Sequence, residues 1–345
     1  QTRNIYDAQN RLVGAIDAEG YLTEFKYSAS GQVTDTIRYA TKAETEQSRI
    51  LSADTEKLVN STTEDHQGFP QATKLANGSY LIVWQNYDGT TNQDVMGQIM
   101  DANGDPVGVE IQLNDSGNGL QNSPAVAALA NGGFVVAWHD GTADYGDIYY
   151  RRFDELGNEI DLTDKLATTN TDNRQDNPKV VGLANGGFVI VWNSNSLTDD
   201  DNSYNGVYGR YFNADGVAPD DDFRINSVTS AEQFDPEIAS LADGGFVVTW
   251  TSQNQGGDDY EVWGRCYDAD GQPHEQGEFH INNSTTARQY ESRVVGLRDG
   301  GFVVIWSDGR SGVRDVYGRY FGSDGFEITH EFLINTYQTN SQAAR

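Results

Sequence analysis

The sequence predicts an all-β chain, a β-propeller of four-stranded antiparallel blades, and three observations lead there. Residues 241–250, LADGGFVVTW, have near-copies ending at Trp84, Trp138, Trp192 and Trp306. Successive tryptophans stand 54, 54, 58 and 56 residues apart, and self-similarity at a fixed period of this size marks a propeller, solenoid or array. Around each copy, short apolar runs of period two alternate with turn residues, the pattern of strands joined by tight connections. The composition agrees: 37 Gly with 18 Tyr, 14 Phe and 6 Trp suit strands and turns. Almost no helix is expected.

Taken in order, residues 4–39 are expected to form two hairpins, with strands near 6–12, 20–27, 30–33 and 36–39. Tyr6-Asp7 and Tyr27, each followed by Arg11-Leu12 or Gln32-Val33, resemble the YD repeat of the Rhs family of large bacterial surface and toxin proteins. Asn10, Ser28 and Gln32 depart from that family's usual residues, as in the worn last copy of a longer array. Residues 1–39 are therefore assigned to YD-type hairpins, the polar residues 40–55 to a linker, and 56–345 to a propeller of five repeats.

Each repeat has four parts. The first is Gln-x-x-Pro with a short apolar strand, beginning at Gln67, Gln121, Gln175, Gln233 and Gln289, with Ser292 replacing Pro in the last. Proline is tolerated at a strand start because no ladder bond is needed from it there. The second is the Gly-Gly-Phe-Val-Val-x-Trp strand, entered through Asn-Gly or Asp-Gly, a strong hairpin signal. Phe246, Val248 and Trp250 should share one face and Val247 and Thr249 the other. With both faces apolar, each sheet should be covered on both sides, which makes Trp84, Trp138, Trp192, Trp250 and Trp306 structural. The third strand ends in turns such as Asp268-Ala269-Asp270-Gly271, and the fourth is typified by residues 278–282.

Five complete repeats follow an unattached copy of the fourth strand at 56–60, and Gln342 falls where a sixth repeat would begin. Five blades are favoured, with the 56–60 strand displacing 331–335 as a clasp. The alternative is a sixth blade made partly from residues 4–39.

Lys plus Arg number 23 against 52 Asp plus Glu, a formal charge of −29. Such a surface disfavours nucleic acid and anionic membrane as partners. No apolar run approaches the roughly 18 residues of a membrane span. With one cysteine, Cys266, neither an intramolecular disulfide nor a multi-thiolate metal site is available.

The Asp-rich turns do not make an EF-hand, since the twelfth positions are Gln112 and Phe279 where a chelating Glu is needed. Turn geometry explains them. The loops between second and third strands vary in length and gather carboxylates: Asp140, Asp144 and Asp147; Asp199, Asp200 and Asp201; Asp258, Asp259 and Glu261. Hard cations take oxygen ligands at flexible spacing, so Asp140, Asp144, Asp147 and Glu261 are candidates for weak Ca²⁺ binding. Variable loops on a rigid scaffold concentrate binding residues, and Asp199, Asp200, Asp201 and Tyr204 beside Asp258, Asp259 and Tyr260 form the expected ligand contact set.

The histidines show no metal-ligand spacing, and nucleophile elbow, P-loop and dinucleotide motifs are absent. A propeller glycosidase needs inner-strand carboxylates about 5 to 9.5 Å apart. The residue after the repeat proline, or after Ser292 in the fifth repeat, is Gln71, Ala125, Lys179, Glu237 and Arg293 in turn, so one of five is acidic; Asp176 and Asp235 lie just before it.

The Trp strand with its D-A-D-G turn resembles repeats of very large bacterial secreted and cell-surface proteins that also carry RTX-type calcium-binding repeats. That resemblance implies a slice of a larger exported chain, secreted or at the cell surface. The function expected is a non-enzymatic binding and spacing module for a glycan or protein ligand. The alternatives are a structural propeller attached to an Rhs or toxin-complex-like shell, and a glycoside hydrolase or lyase.

Overall fold

The structure, a computed structural model, describes residues 3–6, 12–16, 21–28, 33–42, 57–61, 66–87, 89, 92–115, 119–141, 145–172, 174–195, 205–229, 231–253, 259–284, 287–336 and 342. Two compact units are present, Gln1–Leu58 and Val59–Arg345. Among the described residues there is no helix.

In the first unit β1 (Arg3–Tyr6), β2 (Leu12–Ile16), β3 (Tyr21–Tyr27) and β4 (Val33–Lys42) make one antiparallel sheet in chain order. The expected strand at 6–12 is divided: Tyr6 ends β1 and Leu12 opens β2, while 7–11 lie outside the described residues. Of the two short strands expected at 30–33 and 36–39, residues 30–32 lie outside the described residues, and Val33 and 36–39 belong to one continuous β4, which runs on to Lys42 in the segment assigned to the linker. Tyr27 Oη donates to Leu12 O at 2.7 Å, so the repeat tyrosine ties β3 to the start of β2.

The described residues of the second unit form five four-stranded sheets. They are β5 (His66–Lys74), β6 (Tyr80–Tyr87), β7 (Gln93–Met100) and β8 (Pro106–Gln112); β9 (Gln121–Ala128), β10 (Phe134–Asp140), β11 (Asp147–Phe153) and β12 (Lys165–Leu166); β13 (Gln175–Gly182), β14 (Phe188–Ser194), β15 (Gly206–Phe212) and β16 (Phe223–Arg224); β17 (Gln233–Ser240), β18 (Phe246–Gln253), β19 (Tyr260–Tyr267) and β20 (Pro273–His280); and β21 (Gln289–Gly296), β22 (Phe302–Asp308), β23 (Asp315–Phe321) and β24 (Phe332–Leu333). Every sheet is an antiparallel meander, one blade of a β-propeller. The first strands of successive sheets touch one another, β5 to β9, β9 to β13, β13 to β17 and β17 to β21, and so form the inner edge.

The two repeat glycines have separate causes. Gly244 takes φ +97° and its N–H donates to Leu241 O at 3.0 Å, a turn few L residues adopt. At Gly245 a Cβ would fall 2.2 Å from Tyr267 O, so the close approach of β18 to the end of β19 excludes any side chain.

Beyond the turn, the strand faces divide as expected. Phe246, Val248 and Trp250 pack on Leu183, Val189, Val207 and Ile225 of the preceding sheet. Val247, on the other face, packs with Val262 and Ile281 on Phe302, Val304 and Trp306 of the following sheet. The same arrangement joins the first sheet to the second and the second to the third. Burial of these side chains at about 25 cal/mol per Å² is the main force holding each sheet to the next, and all five repeat tryptophans are buried.

The expectation that residues 56–60 displace 331–335 is corrected: β24 pairs with β23 in its own sheet through Tyr317 opposite Leu333 and Gly318 opposite Phe332. The described strands β1 to β4 likewise sit in a sheet of their own.

Candidate active site

Each inner strand carries a β-bulge opposite the repeat tryptophan. In the third sheet Asp176 faces Asn193 and Lys179 faces Val191, which leaves Asn177 and Pro178 against Trp192 alone. The fourth sheet places Asp235 and Pro236 against Trp250, and the fifth Glu291 and Ser292 against Trp306. Two residues opposing one bend the strand and redirect a side chain. The first residue of each pair is a non-glycine in the left-handed region: Phe69, Ser123, Asn177, Asp235 and Glu291, with φ of 51°, 52°, 52°, 52° and 55°. A backbone cost of order 1–3 kcal/mol attends each such residue and recurs at functional sites.

These bulges lie near the start of the inner strands. In a meander that end also holds the loops between second and third strands, so the redirected side chains open on the face of variable loops. Their contacts run from sheet to sheet. Asn177 Nδ2 donates to Asp235 Oδ1 at 3.1 Å. Glu237 Oε1 accepts from Lys179 Nζ at 3.2 Å and from Arg293 Nη1 at 2.9 Å, an ion-pair clamp spanning three sheets. Ser307 Oγ donates to Glu291 Oε2 at 3.2 Å, and Asn193 Nδ2 to Asp176 Oδ1 at 3.0 Å. Burial raises the Asp235 carboxyl above the usual carboxylate range, Lys179 opposes that shift, and Glu291 reinforces it. A half-buried acid biased toward its protonated form beside a second carboxylate is an arrangement for proton transfer.

Glu291 is the residue that sequence reasoning missed. The expectation was built on the position after the proline, where Glu237 serves as a clamp and not as a free acid. The signal lay two positions earlier, in the residue preceding Pro or Ser292.

Of the loop residues expected to bind ligand, Asp199, Asp200, Asp201, Tyr204 and Asp258 lie outside the described residues. Asp259 Oδ1 accepts from Arg288 Nε at 3.0 Å, and the Tyr260 ring meets Phe234 edge-on with the Arg288 guanidinium 5.0 Å from its centroid. Among the metal candidates Asp144 is also outside the described residues. Asp140 and Asp147 face each other across β10 and β11, where Gln121 Nε2 donates to Asp140 Oδ2 at 3.2 Å and Thr168 Oγ1 to Asp147 Oδ1 at 3.3 Å. Glu261, placed by sequence in an acidic loop, is a buried residue of β19 whose Oε2 meets His280 Nε2 at 2.8 Å. Among the described residues no three His, Cys, Asp or Glu side chains come together as a metal site.

The repeated polar residues are scaffold. Asp268 Oδ1 accepts from the N–H groups of Asp270 and Gln272 at 3.0 and 2.8 Å, which accounts for the D-A-D-G turn without a cation. Trp192 Nε1 donates to Gln175 Oε1 at 3.1 Å. A cleft of about 390 Å³ between the third and fourth sheets, lined by Tyr211, Phe223, Arg265 and Tyr267, opens on the uniform-turn face, away from these carboxylates.

Residues 6–44 match the RHS repeat family, and no curated protein matches the chain's sequence. Solved structures of similar fold include a protein of unknown function from Dyadobacter fermentans (TM-score 0.56, 9% identity, 82% of this chain and 86% of that one). The α-L-arabinofuranosidase of Fusarium graminearum with an iminosugar inhibitor is another (TM-score 0.55, 14% identity, 79% and 82%). A third is the α-L-arabinanase of Penicillium chrysogenum with arabinobiose (TM-score 0.50, 13% identity, 78% and 80%). These likenesses correct the expectation of a non-enzymatic module: the fold is one on which glycosidases are built. The chain thus joins an RHS-repeat segment to a β-propeller similar in fold to an α-L-arabinanase and an α-L-arabinofuranosidase.

Proposed function

We propose that the propeller is a glycoside hydrolase acting at the inner edge of its third to fifth sheets. The observation that carries this is the pair Asp235 and Glu291, on equivalent left-handed bulges of adjacent sheets, with Asp235 biased toward protonation. In the reaction Asp235 donates its proton to the glycosidic oxygen as the bond to the anomeric carbon breaks. Glu291 supplies the second carboxyl group, toward the oxocarbenium-like centre or the water that attacks it. Phe69, 65% exposed at the same register position of the first sheet, offers an apolar ring of the kind that meets a sugar face. The sugar-bound structures of similar fold support a glycan substrate. The RHS-repeat segment and the acidic surface support an exported or cell-surface setting.

The test is product release from a panel of polysaccharides, including arabinan, by the wild type, Asp235→Asn and Glu291→Gln. A loss of about 10²–10⁴-fold in each variant, with unchanged melting, is expected. No release from any substrate by the wild type, or equal rates in the variants, sinks the assignment.

A further inference from the structure

At the two outermost sheets the joining faces carry exposed apolar residues. Tyr80 of the first sheet is 40% exposed, where its counterparts Phe134, Phe188, Phe246 and Phe302 are 0%. Ile334 after the fifth sheet is 45% exposed, where Leu113, Ala167, Ile225 and Ile281 are 0%. The first sheet thus offers the Trp-side half of the repeating interface and the fifth the Val-side half, and no core cluster of described residues joins them.

Two hydrogen bonds show what belongs between. At each internal junction, the N–H following the fourth strand of one sheet donates to a carboxylate at the fourth strand of the next: Asp115 to Asp164, Thr169 to Asp222, Ser227 to Glu278 and Asn283 to Glu331. Ser61 N–H donates in the same way to Glu110 of the first sheet. Residues 59–61 therefore stand where the outer strand of a preceding sheet stands. At the other end, Gln175 N and Gln233 N donate to Gly146 O and Asn205 O, the residues entering the third strand of the sheet before, both at 2.9 Å. Gln342 N donates to Arg314 O, which enters β23, at 2.6 Å. Gln342 follows Asn335 by the interval that separates Asn282 from Gln289 and Asn60 from Gln67.

We infer that a sixth sheet of the same repeat fills the space between the fifth and the first, its inner strand starting at Gln342 and its outer strand carrying Val59 and Asn60. Direct closure of the fifth sheet on the first would give Glu110 to Thr336, but Ser61 holds it. The occupant is three strands of this repeat's own pattern entering at Gln342, with Val59 as the apolar residue of the fourth. A sixth bulge would then complete the ring of pre-proline side chains. This inference rests on register and burial and is independent of the proposed chemistry.

The experiment compares the 345-residue chain with one extended after Arg345 by a copy of residues 293–322, which continues the register set by Gln342. The extended chain is expected to melt about 5 °C or more higher, with slowed hydrogen exchange at residues 59–61. Val59→Asp should remove that gain while leaving the melting of the 345-residue chain unchanged. Native exchange in the second to fourth sheets without any gain overturns the inference, as does a gain indifferent to Val59→Asp. Concentration-dependent association of the 345-residue chain, abolished by Ile334→Asp, overturns it in favour of a second copy on these faces.

Discussion

Asn177 and Asp235 occupy the same left-handed position on neighbouring inner strands, and the amide of the first donates to the carboxyl of the second at 3.1 Å. A donor aimed at a carboxylate favours its charged form. Asn177→Gly keeps the backbone conformation and deletes that donor, so the Asp235 pKa should rise further. Carboxyl-resolved NMR titration checks this, and a downward or absent shift contradicts it.

Asp235 must be protonated to act as the acid, so hydrolysis should fall as pH rises through its raised folded pKa. Asp235→Asn should abolish that alkaline limb together with most of the rate. A limb that persists at the same pH in the residual activity assigns it to another group.

Asp164 gives a stability prediction. Burial pushes its carboxyl up to about 6, with the N–H of Asp115 opposing the shift. The folded state binds this proton more tightly than the unfolded chain, whose carboxyl titrates near 3.9. The contribution is therefore fully present below about pH 4 and is lost as pH rises toward about 6. Asp164→Asn should flatten stability across that window, as measured by urea melts at several pH values; a variant with the wild-type slope refutes the link.

Trp192 is fully buried, with its indole on Gln175. Trp192→Ala should cost about 3–5 kcal/mol by cavity formation, read from denaturant midpoints. A loss under about 1 kcal/mol is the scale of a surface change and would place this side chain outside the core.

Gly245→Ala sets a Cβ against Tyr267 O and should lose about 1–3 kcal/mol through overpacking. A stabilised variant would show that entropy, not contact, governs this glycine.

The repeat pattern made the strands, the turn glycines and the two-faced Trp strand legible, because each follows from local alternation or a required backbone angle. The bulge was not. A residue before proline is ordinarily extended, so nothing local announces that Asn177 and Asp235 turn left-handed; the reason is the tryptophan of the neighbouring strand, which faces two residues at once. Counting acids at the post-proline position therefore found only Glu237, which the lysine and arginine of adjacent sheets hold in ion pairs. Glu261 was misplaced for a related reason: β19 begins at Tyr260, so its carboxylate is strand, held by His280.

The junctions between sheets all point the same way. Trp138, Trp192, Trp250 and Trp306 are each covered by the sheet before, not by the one after, so loosening one of these sheets undresses its successor's indole and leaves its predecessor's dry. Damage in the fourth sheet should be reported by Trp306 and not by Trp192, which gives the unit a sense of direction along which local melting is passed on.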